Sequence, residues 1–145
     1  MGAGAPMSVS TSRTVSGEVA RHHVANLLYT YVDIADRKDI DAAVGLLGNA
    51  RVRFPDNGFE TIDDARPFFT RLWASSTAHR HDVGNLRVEP GAGSYWRAYA
   101  HYTRWLFTPG PVLHTLGEYA LDIDARTWSI TALAVTRTWM RAESG

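Results

Sequence analysis

The chain contains no cysteine in its 145 residues. Disulfides, thiol nucleophiles and zinc–thiolate centres are therefore excluded. It also lacks net charge: 15 Lys and Arg stand against 15 Asp and Glu. No electrostatic footprint for nucleic acid or an anionic membrane follows. No apolar run approaches the roughly 20 residues of a membrane span. The segment Met1-Gly2-Ala3-Gly4-Ala5-Pro6 has neither the basic region nor the apolar block of a signal peptide, so a cytoplasmic location is the expectation. There is no phosphate loop, dinucleotide fingerprint or Gly-x-Ser-x-Gly elbow. Gly91-Ala92-Gly93 reads as a turn, and no organic cofactor is implied. What is present is a length suited to one domain with a core of its own. The 5 Trp and 6 Tyr suit a pocket lined by flat, partly polar rings, or equally a subunit interface.

Residues 1–15 are mostly Gly, Ala, Ser and Thr without periodicity and read as a disordered tail; a single domain is expected over 16–145. Ser16 is a candidate N-cap. Ala20, Val24, Leu27, Leu28, Tyr31, Ile34 and Ala35 recur at three- and four-residue spacing, which predicts a helix from about Gly17 to Asp36. Asp39 or Asp41 opens a short second helix that Gly48 stops. Ala50 to Phe54 alternates as a strand, ended by Pro55-Asp56-Asn57-Gly58. A third helix carries Ala65, Phe68, Phe69, Leu72 and Trp73. A cap at Asp63 or Asp64 would place Pro67 in its first turn, where proline costs little.

Four long strands follow, over His79–Glu89, Ser94–Phe107, Val112–Ile123 and Trp128–Met140. In the first of these, His79, His81 and Val83 share one parity and Leu86 and Val88 the other. A bulge at Gly84-Asn85 would reconcile them. Helices and strands segregate along the chain, which gives an α+β class.

Four local patterns then occur in a telling order. They are Tyr31 to Asp41; Gly58 followed by Ile62 and Ala65 to Phe69; His81 followed by Asn85; and Gly117-Glu118-Tyr119 with Asp122 and Trp128. Together they resemble the nuclear transport factor 2-like superfamily, and within it the SnoaL-like group. That group includes polyketide cyclases, scytalone dehydratase and related dehydratases and isomerases, and small subunits of ring-hydroxylating dioxygenases. The resemblance implies a cone-shaped barrel of strongly curved mixed or antiparallel sheet, packed on three N-terminal helices around an apolar interior. It places Asp36 and His81 where scytalone dehydratase has a cavity-facing Asp–His pair. A histidine titrates near neutral pH, and a carboxylate on its ring N–H would fix the tautomer. The second histidine of that enzyme falls near Glu118 here, so Glu118 is a candidate acid.

Candidates to line the cavity are Tyr31, Asp33, Phe54, Phe69, Trp73, Asn85, Tyr99, Tyr102 and His114. His79 and His81 could also form half of a metal site, as in cupins, but three helices argue against that fold, and no metal is expected. The resulting expectation is a cofactor-independent dehydratase, cyclase or isomerase acting on a small apolar, cyclic or polyketide-like molecule. The alternatives are a non-catalytic binding or assembly module of the same fold, and an epoxide-opening hydrolase using Asp33, Asp36 and Glu118. Aromatic surface on the sheet makes a homodimer the expectation.

Overall fold

A computed structural model describes residues 15–142. The expected tail therefore lies, but for Val15, outside the described residues. Ser16 caps α1 (Gly17–Arg37), its Oγ accepting from the Val19 N–H at 3.2 Å. The helix ends at Lys38, which takes a left-handed φ of 54°. Asp39 caps α2 (Ile40–Leu47) in the same way, accepting from Ala42 N–H at 3.1 Å. Two short strands follow, β1 (Arg51–Arg53) and β2 (Gly58–Phe59), joined by the Pro55–Asn57 turn.

The third helix, α3, runs Ile62–Leu72 from Thr61, two residues earlier than Pro67 suggests. Pro67 is thus inside the helix and leaves the Asp63 carbonyl without its usual partner. Both residues lie on the exposed face, where solvent can take that bond, while Ala65, Phe68 and Phe69 are buried.

The four long strands are β3 (His79–Pro90), β4 (Tyr95–Leu106), β5 (Val112–Asp124) and β6 (Ser129–Met140). One six-stranded sheet has the order β2-β1-β6-β5-β4-β3. The long strands are antiparallel, but β1 joins β6 in parallel through Val52 and Leu133. The mixed, curved sheet on three helices is the cone expected from the sequence, and the ends of this order are different strands, so it is not closed into a barrel. Its curvature comes from breaks in register. In β3 the register with β4 shifts between Gly84 and Arg87, and Asn85 adopts a φ of 54°. On the near side His79 is buried and His81 and Val83 half-buried; beyond it the inward positions are Leu86 and Val88. The bulge therefore carries the strand from one side-chain phase to the other.

The concave face of the sheet meets the helices. Val24, Leu28, Tyr31, Ile34 and Ala35 of α1 pack with Ala98, Ala100, Tyr102, Tyr119, Leu121 and Leu133 in one core. Phe59, Phe68, Phe69 and Trp73 add an aromatic cluster at the α3 end, with Phe69 and Trp73 stacked at 5.0 Å. Among the described residues no helix is long and apolar enough to cross a membrane.

Candidate active site

The last turn of α1 is fastened to the start of β3. Lys38, held in its left-handed cap conformation, points Nζ at the chain before β3 and donates to the Ser75 carbonyl and to Thr77 O, the latter at 2.7 Å. His79 Nε2–H donates to Ala35 O at 2.6 Å. His81 donates twice to one carboxylate oxygen: its main-chain N–H reaches Asp36 Oδ1 at 2.8 Å and its ring Nδ1–H reaches the same atom at 2.7 Å. A carboxylate accepts only, so the proton sits on Nδ1 and the lone pair on Nε2. The His81 side chain is only 10% exposed and Asp36 25%, so water screens this pair weakly.

His79 is engaged on both sides. Arg104 Nε–H donates to its Nδ1 at 3.0 Å, opposite the bond to Ala35. Burial lowers its pKa to about 4, opposed by the Ala35 carbonyl and reinforced by the neighbouring His81, Arg104 and Lys38. The ring is therefore neutral over the physiological range. Asp36, His79 and His81 bring ligand-type atoms within 4.8 Å of one another, a spacing that suits a cation. Against this, both His79 nitrogens are committed and Asp36 Oδ1 already accepts two N–H groups.

A cavity of about 210 Å³ opens beside this cluster, with Tyr31, Trp73, His81, Tyr102, Arg104 and Tyr119 in its wall. Tyr102 and Tyr119 stack at 4.6 Å, Tyr31 meets Tyr119 edge-on at 5.9 Å, and the His81 ring lies 6.0 Å from Tyr102. Burial raises the pKa of all three tyrosines, so each stays a hydrogen-bond donor. Gly117 makes the stack possible: a Cβ there would fall 2.5 Å from the Tyr102 ring. On the floor, Arg104 Nη1 donates to His114 Nδ1 at 3.1 Å. Burial lowers the Arg104 pKa, with Tyr102 and Tyr119 opposing.

Solved structures share this architecture. A candidate scytalone dehydratase from Novosphingobium aromaticivorans superposes with a TM-score of 0.72 at 10% identity, over 88% of this chain and 89% of that one. LinA gives 0.72 at 12% identity, over 87% and 90%. ActVI-ORFA from Streptomyces coelicolor gives 0.68 at 12% identity, over 82% and 98%. The chain shares the α+β fold of these solved structures. At such identities the likeness is one of fold. No family model and no curated protein matches the sequence.

Within the cone, Tyr31, Phe54, Trp73, His81, Tyr102 and His114 line the cavity, and Asp36 reaches it through His81. Other candidates are placed elsewhere. Glu118 is exposed on the convex face, opposite His101 and Thr136, because strand alternation gives the concave side to Gly117 and Tyr119. Tyr99 lies on that convex face too, beneath the Arg87 guanidinium at 5.0 Å. Asn85 bonds His101 Nδ1 at 3.2 Å outside the cavity, because the bulge turns it outward. Asp33 is 66% exposed on α1 and pairs with Arg37 at 2.9 Å, one helical turn away. Phe69 is wholly buried behind Trp73. The three-carboxylate network an epoxide hydrolase would use is thus not assembled: Asp33 is exposed and held by Arg37, and Glu118 stands on the convex face.

The cone also contains groups that sequence reasoning passed over. Tyr119 stands inside the Gly117-Glu118-Tyr119 pattern, where the neighbouring acid is the more conspicuous candidate. Arg104 shares strand parity with Tyr102, so a cation at an inward position of an aromatic strand was the available signal. His114, by contrast, is among the sequence candidates, and it lines the cavity together with Thr115, its neighbour in sequence. The register with β4 shifts between Arg104 and Trp105, opposite His114, and this irregularity permits it.

Proposed function

We propose that the protein is a cofactor-independent lyase or isomerase, in which His81 moves a proton on a small ring-bearing substrate held in the cone. The observation that carries this reading is the Asp36–His81 bond at 2.7 Å, which leaves the Nε2 lone pair on a ring that lines the cavity. Nε2 takes a proton from the carbon next to a carbonyl. The bonding pair shifts onto the carbonyl oxygen, giving an enolate, and Asp36 stabilises the imidazolium that forms. The Tyr31 and Tyr119 hydroxyls, kept protonated by burial, donate to the developing oxyanion. The imidazolium then returns its proton, either to a departing β-hydroxyl, which leaves as water, or to another carbon, which isomerises the substrate.

Relatives of this fold include a protein named for scytalone dehydration, and that name agrees with proton transfer at a cyclic substrate. A volume of about 210 Å³ suits a one-ring ligand, since pockets for drug-sized molecules span ~300–1,000 Å³. The convex face, which carries exposed Leu116 and half-buried Tyr99 and Trp105, is assigned to a homodimer contact. Proton abstraction is tested by deuterium uptake at C2 of 1-indanone in D2O, followed by NMR. The protein accelerates uptake, and His81→Ala abolishes the acceleration.

A further inference from the structure

Arg104 is a cation in the cavity wall, and among the described residues no carboxylate lies within ion-pair distance of it. It occupies the β4 position paired with His81 on β3, so the two side chains leave neighbouring strands on the concave face. The guanidinium carries five N–H donors. One, on Nε, goes to His79 Nδ1 and one, on Nη1, to His114 Nδ1, which leaves three. Both histidines accept through a lone pair and are neutral partners at those nitrogens, so neither balances the charge. The two bonds hold the guanidinium plane in a fixed place on the cavity wall.

The surrounding charges point the same way. Asp36 is engaged by His81, and the cavity's own carboxylate, Asp56, is a rim group 81% exposed that faces Arg137 at 3.4 Å. A desolvated guanidinium with free donors beside the proposed base is arranged to receive a planar anionic oxygen group.

We propose that Arg104 is the anion-recognition residue of the cone: it binds an anionic oxygen of the ligand, beside the carbon that faces His81. This rests on the cavity being the substrate site, but not on any turnover by His81. The anionic oxygen has two possible sources. A carboxylate would be present on the substrate from the start, and an enolate or phenolate oxygen would arise during the reaction.

Two inert probes separate these sources. The first comparison is benzoate against its neutral isostere benzamide, measured by calorimetry. The second is p-nitrophenol, whose phenolate absorbs in the visible, so that binding reports whether the protein favours the ionised form. Neither probe can be turned over by proton abstraction, so a failed proton-transfer mechanism leaves this measurement intact. The protein should prefer at least one anion over its neutral form by about tenfold or more. Arg104→Gln should remove that preference, while Arg137→Gln at the rim keeps it. Selection of benzoate assigns a carboxylate substrate, and selection of the phenolate assigns a developing oxyanion. No preference for either anion in the unmodified protein overturns the proposal whatever the variants do. So does a preference that survives in Arg104→Gln, or one that disappears in Arg137→Gln while Arg104→Gln retains it. Arg104 also braces His79 and His114, so Arg104→Lys serves as a second variant. Its ammonium keeps a charge but not the planar fork, and it should retain part of the preference.

Discussion

Asp36 Oδ1 accepts two hydrogen bonds from a single residue, the main-chain N–H of His81 at 2.8 Å and its ring Nδ1–H at 2.7 Å. The first bond fixes where β3 starts relative to the end of α1. The second fixes which ring nitrogen is basic. One carboxylate thus joins fold and chemistry, and variants at this position separate the two.

Asp36→Asn should preserve the fold, because an amide oxygen can still accept from the His81 main chain. It should lower proton-transfer rate on the order of 10²–10⁴-fold, because the amide N–H₂ presents a donor to Nδ1 or leaves the ring unoriented. Circular dichroism and deuterium uptake, measured on the same sample, should therefore diverge.

His79 gives a pH dependence whose sign is fixed by its environment. Its pKa falls from 6.5 to about 4 on folding, so the folded protein binds that proton less readily than the unfolded chain. The stability it contributes is complete above about pH 6.5 and is lost as pH falls toward 4, amounting to about 3 kcal/mol at most. Urea unfolding across that window should show the decline, and His79→Gln should flatten it. A profile unchanged by the substitution would count against a neutral, doubly bonded His79.

Gly117→Ala should displace the Tyr102 ring. A Cβ would lie 2.5 Å from that ring and 2.2 Å from the Thr136 carbonyl, and backbone on the far side cannot yield cheaply. The cost is about 1–3 kcal/mol. Thermal unfolding reads the loss, and probe binding in the cone should weaken with it.

The convex face predicts a particle twice the mass of the chain in sedimentation. Leu116→Asp, which places a charge on an exposed apolar position of that face, should yield monomers without changing the circular dichroism spectrum. A monomeric unmodified protein would remove the homodimer assignment.

The parity break in His79–Val88 was legible in the sequence, and the register shift between Gly84 and Arg87 answers to it. The Asp36–His81 juxtaposition rested on resemblance, since 45 positions separate the two residues and no local pattern relates them. Alternation told which residues of β5 share a face, but not which face turns inward, so Glu118 stood as a candidate in place of Tyr119. Only packing against α1 decides that, through contacts such as Tyr31 on Tyr119. His114 stands among the sequence candidates for the cavity, but its shared parity with the exposed Leu116 and Glu118 does not show why it turns inward. A register break opposite it brings its side chain to the cavity, and no glycine or proline beside it marks the position. Proline misled at α3, where an exposed helix face tolerates Pro67 six residues into Ile62–Leu72.

The most direct test remains deuterium uptake at C2 of 1-indanone in D2O, with the unmodified protein and His81→Ala compared at equal concentration. The account predicts acceleration by the unmodified protein and a loss on the order of 10²-fold or more in the variant. Equal uptake by the two proteins, with the variant shown to be folded, would contradict it.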